Sequence, residues 1–254
     1  MNPKQSPQKK NVSEIRYRLI KSLVTGFIFF SLVLFSFIEI KNDSSENEAS
    51  FIIRKFFNFN EFIFSNLQST NRLSVTKPFP KKGTQVRFNG DEGLTSDLEL
   101  STYKINISSG IQELSLTLSD ITNQPAVEVS TDFKCIEGWS SVIHYKGLRF
   151  LDFMETYHVG KKKDGTYYKF VALETPDAKY YVSIDMASMK HAQTVLAYEM
   201  NQATLTIKNG APLRLIIPIK YGIKSLKRIG RIYFTDEQPR DYWTEQGYDW
   251  FAGL

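Results

Sequence analysis

A single cysteine, Cys135, occurs in 254 residues, so neither an intrachain disulfide nor any multi-cysteine zinc or iron–sulfur site can form. The usual phosphate and metal signatures are also missing. Lys224-Ser225 follows Ile223 where a P-loop needs glycine, and neither Gly-x-Gly-x-x-Gly nor His-Glu-x-x-His occurs. The three histidines, His144, His158 and His191, are dispersed, and an isolated histidine is ordinarily a surface or hydrogen-bonded core residue. No internal repeat is present. Acidic residues are absent from one long stretch: Asn201 to Thr235 holds Lys208, Arg214, Lys220, Lys224, Lys227, Arg228 and Arg231 without one carboxylate.

The net charge of +5 could suggest a nucleic-acid partner, but its distribution argues against one. Lys4, Lys9, Lys10, Arg16, Arg18 and Lys21 face only Glu14 in the first 21 residues, which accounts for the whole excess. The remainder is neutral, so no nucleic-acid partner is expected. With 42% hydrophobic and 14% aromatic residues, the chain can bury one core of ordinary size.

Ser22 to Ile38 is an uncharged, mostly apolar run, extendable to Leu19 and Ile40 if Lys21 and Glu39 snorkel. No Ala-x-Ala-like cleavage site follows it, which favours an uncleaved anchor over a signal peptide. The division expected is a basic tail at 1–18, a transmembrane anchor at 19–40, a linker at 41–84 and a globular domain at 85–254. Basic residues before the run and the mixed Lys41, Asp43, Glu46 and Glu48 after it place the tail in the cytoplasm and the domain on the periplasmic or extracytoplasmic side of a single-pass inner-membrane protein. Phe51 to Phe64 is rich in phenylalanine but interrupted by Arg54, Lys55 and Glu61. It reads as an interfacial helix or as aromatics that pack on the domain or a partner, not as a second span. Pro78, Pro80, Lys81, Lys82 and Gly83 suggest an extended linker.

Beyond it, β-branched and aromatic runs predict strands at Tyr103–Ile107, Val127–Phe133, Tyr167–Leu173, Tyr180–Ile184, Leu213–Ile217 and Ile229–Phe234. Helical spacing occurs at Leu148, Leu151, Phe153, Met154 and Tyr157, and more briefly at Val195, Leu196 and Met200. The pattern is α+β with an excess of strand. Cys135 follows one strand-like run and precedes Gly138, which permits a tight turn. Read by itself it is a buried small hydrophobe or a reactive or ligating thiol, and a cysteine-dependent hydrolase stays formally open though no local signature supports it.

The blocks around Cys135 resemble the molybdopterin-binding domain of sulfite oxidases, and more closely that of bacterial protein-methionine-sulfoxide reductase catalytic subunits and their short relatives. The resemblance runs from about Pro78 to Leu254. It rests on Phe88-Asn89-Gly90-Asp91-Glu92-Gly93-Leu94, Cys135-Ile136-Glu137-Gly138-Trp139 and Ala172-Leu173-Glu174-Thr175. It continues through His191-Ala192-Gln193-Thr194, Leu196 to Asn201, Asn209-Gly210-Ala211-Pro212-Leu213-Arg214, Lys220 to Lys227 and the terminal Gly247 to Leu254. No block is specific by itself; their order and spacing are.

The resemblance implies a sulfite oxidase-type fold and a molybdenum–molybdopterin cofactor, with Cys135 as the protein ligand to the metal. A thiolate is a soft donor that a high-valent metal keeps deprotonated. By the same comparison Asn209 and Arg214 contact the pterin or its phosphate, Ser225, the Leu226 backbone and Lys227 cradle phosphate oxygens, Thr175 bonds the pterin, and Asn89 takes the place of an N-terminal pterin-contacting asparagine in altered surroundings. The acid-free basic stretch suits a buried phosphate. Sulfite oxidases hold their anionic substrate with an arginine-rich segment after the cysteine, and Ile136 to Ser141 contains no arginine. A sulfoxide or another small oxo-compound, free or protein-bound, is therefore expected in place of sulfite. No haem module or dimerisation domain is recognisable, so electrons are expected to pass through a separate partner, plausibly a membrane protein. Arg16-Tyr17-Arg18 is not a twin-arginine pair, which leaves room for an alternative: a membrane-anchored binding or assembly protein with the fold but without turnover.

Overall fold

The structure is a computed structural model and describes residues 12–42, 51–67, 71–82, 84, 86–87, 90–94 and 98–254. The chain parts into two compact units, 1–56 and 57–254.

Helix α1, Val12–Asn42, dominates the first unit. Ser13–Ile38 within it is 26 residues long, and its most apolar 18-residue window has mean hydropathy 2.0 with none of it buried. At 1.5 Å per residue it extends about 39 Å, longer than the hydrocarbon core of a bilayer. Length and composition therefore allow a membrane crossing. Helix α2, Phe51–Leu67, follows, and no second helix among the described residues is long and apolar enough to span.

The second unit is built on two five-stranded sheets. The first contains β1 (Lys104–Ser109), β2 (Gln112–Thr117), β5 (Phe170–Glu174), β6 (Tyr181–Asp185) and β10 (Arg231–Thr235), ordered β2-β1-β10-β5-β6. Only β1 and β10 run parallel. The second contains β3 (Val127–Lys134), β4 (Ser140–Arg149), β7 (Val195–Met200) and β8 (Ala203–Thr204) in that order, with β9 (Arg214–Ile216) also on β7. Short helices α3 (Leu118–Thr122), α4 (Phe150–Thr156), α5 (Met186–Met189) and α6 (Tyr242–Glu245) lie between or after the strands. The α+β class expected from the sequence is the one observed.

Alternation explains the edge of the first sheet: on β1, Ile105 and Ile107 point inward while Lys104 and Asn106 face solvent. They join Phe150, Phe153, Leu173, Ile184, Leu196 and Ile232 in the main core. A smaller cluster of Val129, Ile143, Tyr145, Val195, Ala197 and Ile216 fills the second sheet. The helical spacing at Val195, Leu196 and Met200 is corrected by the structure to strand β7. This strand pairs with β4 on one side and with β8 and β9 on the other, and its first three residues are all buried. A strand covered on both faces loses its period of two, so a short apolar run does not distinguish the two conformations. Helix α4 falls within the expected helical stretch, but Leu148 belongs to β4.

Residues 72–80 are extended and tied to the domain. Ser74 exchanges two hydrogen bonds with Gln193, the Lys77 amide donates to Ser130 O at 2.8 Å, and Phe79 stacks on His144 at 4.0 Å.

Candidate functional site

Cys135 opens the turn between β3 and β4. Its amide donates to Trp139 O at 2.9 Å, its carbonyl accepts from Gly138 N at 3.1 Å, and Gly138 has φ +88°, a conformation costly for any residue with a Cβ. This turn presents a half-buried thiol to a cavity of about 340 Å³. Cys135, Ile136 and Trp139 form one wall, and Phe133, Ile143, Tyr145 and Met200 of the second sheet contribute another. Asn209, Arg214, Ser225 and Lys227 reach it from the acid-free stretch. Five residues singled out in the sequence thus meet in one cavity, although Cys135 and Lys227 are far apart along the chain.

Arg214 begins β9, and its side chain is 4% exposed. The guanidinium lies 5.8 Å from the Phe133 ring and 5.5 Å from the Tyr145 ring. One terminal nitrogen donates to Asn209 O at 2.9 Å and the other reaches Ser225 O at 3.4 Å, but Nε is buried without a hydrogen-bond partner. Among the described residues no carboxylate forms an ion pair with it. A desolvated cation held by carbonyl dipoles and aromatic faces is a strong attractor for an anion. Lys227 adds to the field. Its ammonium donates to Gly90 O at 2.8 Å. Burial, reinforced by the charge of Arg214 and opposed by Glu92 and Asp91, brings its pKa down to about 8. Gly210, at φ +96°, lets the chain pass so close that an added Cβ would sit 2.9 Å from the Lys227 Cα.

The other sequence-derived candidates are placed differently. Thr175 is buried in the turn between β5 and β6, where its hydroxyl donates to Asp177 Oδ1 at 2.7 Å and accepts from the Tyr180 amide at 3.2 Å. Leu226 is fully buried in the core, and its carbonyl accepts from the Leu215 amide at 2.8 Å. Neither side chain lines the cavity. Asn89 lies outside the described residues. Tyr145, Tyr180, Trp243 and Arg87 line the cavity without any local signal, because tertiary packing alone brings them there, and Glu92 and Tyr248 from two of the resemblance blocks join them. Arg87 is the informative one. The segment after Cys135 has no arginine, yet Arg87 stacks on Trp139 at 5.4 Å and lies 3.7 Å from Glu137, whose carboxylate also accepts from Trp139 Nε1 at 3.2 Å. The cation at this wall is already paired.

A molybdopterin fits these residues on two grounds. The buried, unsatisfied Arg214 Nε and the neighbouring Lys227 ammonium suit an anionic tail, and one soft thiol suits a metal that brings most of its donors with it. Consistent with the second point, the described residues contain no group of three or more potential metal-ligating His, Cys, Asp or Glu side chains.

Two sheets enclosing a cavity with one thiol and a buried arginine that no carboxylate pairs among the described residues suit a molybdopterin-binding oxidoreductase, and the chain belongs to that family: residues 92–243 match the oxidoreductase molybdopterin binding domain. Among its relatives is a protein of Azospira oryzae described as a candidate protein-methionine-sulfoxide reductase subunit, YedZ1. It is 30% identical over 222 residues, covering 84% of this chain and 79% of that protein. The protein-methionine-sulfoxide reductase catalytic subunit MsrP of Campylobacter jejuni is 33% identical over 164 residues, covering 59% of this chain and 54% of that one. The chain therefore spans about half of the MsrP length. The sulfane dehydrogenase SoxCD of Paracoccus pantotrophus shares the fold, with a TM-score of 0.50 at 20% identity over 57% of this chain and 41% of that one. The resemblance read in the sequence is thereby established at the level of family, fold and enzyme class.

Proposed function

We propose that this oxidoreductase is membrane-anchored and removes the oxygen atom of a sulfoxide-like or other small neutral oxo-compound, with Cys135 as the protein ligand to molybdenum. The carrying observation is the convergence in one cavity of the Cys135 thiol and the buried Arg214 guanidinium, which has no carboxylate partner among the described residues. When bound, the molybdenum–pterin group supplies a two-electron couple between Mo(IV) and Mo(VI). Cys135 would hold the metal as thiolate. Arg214, Lys227, the Ser225 hydroxyl and the Asn209 amide would hold the anionic part of the cofactor through charge-assisted hydrogen bonds. Leu226 and Thr175 would act only indirectly, by fixing the backbone and the turn beside it.

The protein's share in selecting substrate falls to the wall made by Trp139 and its neighbours. The Arg87 charge, exposed to solvent, is partly offset by Glu137 and lies against an indole, so it offers an oxyanion somewhat less than an unpaired arginine would. A neutral S=O group asks for an aromatic surface and few charges, and Trp139, Trp243, Tyr180 and Tyr248 provide the rings. Reducing a sulfoxide to a sulfide and water consumes two electrons and two protons. A separate electron donor is therefore required, and a membrane protein would be well placed if α1 spans the bilayer. The names of the relatives, methionine-sulfoxide reductase subunits, support the substrate class.

The test is metal and pterin analysis of the chain purified from a molybdenum-competent host, followed by reduction of a methyl sulfoxide with a chemically reduced viologen. We expect molybdenum and pterin in equal amounts and turnover that Cys135→Ser abolishes while much of the pterin is kept. Protein containing neither would sink the enzyme reading and leave a binding or assembly role.

A further inference from the structure

Helix α2 is exposed where a surface helix ordinarily carries charge. Phe56, Phe59 and Phe62 are 61%, 57% and 68% exposed. Their spacing of three residues keeps them within about 120° of one another around the helix. Ile53, Phe57 and Glu61 on the other side are partly covered, and Glu61 feels the charges of Asp249 and Lys220 in the folded domain. The outward apolar run continues after α2. The Ser74 backbone is held by Gln193, and its neighbours Leu73 and Val75 are both exposed. Lys55, which falls on the phenylalanine side of α2 at 100° per residue, and Arg72, next to Leu73 in the chain, bring positive charge to this surface.

We propose that Phe59 and Phe62, with Phe56 one turn earlier and Leu73 and Val75 beyond, form a lipid-facing surface that lays α2 in the headgroup region of the membrane α1 crosses, its cations among anionic headgroups. Chain connectivity favours lipid over another occupant. Only residues 43–50 separate α1 from α2, and that length of chain reaches at most about 30 Å even when fully extended. Wherever α1 leaves the bilayer, α2 begins near its surface. A phenylalanine face with flanking Arg and Lys has the composition of an in-plane amphipathic helix.

This rests on the reading of α1 as a membrane anchor, and one experiment separates the two. Full-length protein is reconstituted in phosphatidylethanolamine–phosphatidylglycerol vesicles containing a photoactivatable acyl lipid, illuminated, digested and mapped by mass spectrometry. The expected result is lipid adducts in α1, in residues 55–67 and in residues 71–76. Adducts in α1 alone would overturn the α2 surface and leave the anchor standing; adducts in neither would overturn both. Cross-links between α2 helices of two chains in place of lipid adducts would show self-association and also overturn it. Phe56→Ser/Phe59→Ser/Phe62→Ser should lower the α2 adducts by about fivefold with α1 adducts and molybdenum content unchanged. Leu73→Ser/Val75→Ser should do so for residues 71–76, and unchanged adduct yields in both variants would refute the surface.

Discussion

Arg214 and Lys227 belong to the same wall of the cavity, yet they should respond differently to pH. A guanidinium keeps its charge across the accessible range, whereas the Lys227 ammonium, with its pKa lowered to about 8, loses its proton within it. A bound anion would raise that pKa, so binding is linked to proton uptake above pH 8 and the affinity falls as pH rises through that value. Cofactor release, followed by pterin fluorescence, should accelerate between pH 7 and pH 9 in the wild type and be nearly flat over that range in Lys227→Met. Equal pH dependence in both proteins would remove Lys227 from the phosphate site. Arg214→Gln leaves a polar side chain without the charge. It should lower retained molybdenum by about tenfold or more at every pH, the loss of one charge-assisted contact being worth about 1.5–3 kcal/mol, as measured by elemental analysis after gel filtration.

At the level of elements, the cavity depends on the β4–β7 pairing. The register shifts between Lys146 and Gly147, and a Cβ on Gly147 would run into the Leu196 carbonyl and lie 2.6 Å from the Ala197 Cα. Both are backbone atoms of the paired strand, so relief requires the strands to part. Gly147→Ala should destabilise the domain by about 3 kcal/mol, read from the denaturant midpoint. Leu196→Ala, at a fully buried position of β7, should cost about 2–5 kcal/mol by leaving a cavity in the main core. Both changes should reduce bound cofactor only in proportion to the unfolded fraction, which separates them from Arg214→Gln. These strands also show where the sequence was hard to read. β1, β3, β5, β6, β9 and β10 each lie within or across a run of β-branched and aromatic residues, while β7 was hidden because its neighbours bury it on both sides, and β2 and β4 carry polar or basic residues that interrupt the pattern.

For the whole molecule, the charge distribution and α1 make one prediction together. The basic residues precede the span, so the N-terminus should stay in the cytoplasm and the catalytic domain should face the other side. The chain should remain in the membrane fraction after an alkaline wash, and protease added to intact spheroplasts should digest the domain. Protection of the domain would reverse the topology, and extraction by the wash would remove the anchor. The C-terminal segment matters at this scale because Trp243 and Tyr248 line the cavity, while Lys220 is held by Asp185 at 3.1 Å and by Phe251 O at 2.7 Å.

The sequence by itself determined the apolar span, the confinement of net charge to the tail, the acid-free basic stretch and the glycine turn at Cys135. These are local properties of composition and backbone conformation that no later folding can alter. It also carried the order of blocks from which the family could be recognised. Tertiary structure alone decided what shares the cavity. It placed Arg214 between two aromatic rings with no carboxylate among the described residues to neutralise it, turned the Thr175 hydroxyl into its own loop, and brought Arg87 to Trp139 already paired with Glu137. Burial and ion pairing depend on residues distant in the chain, and for that reason the same side-chain types read as solvated charges in one dimension and as a desolvated anion site in three.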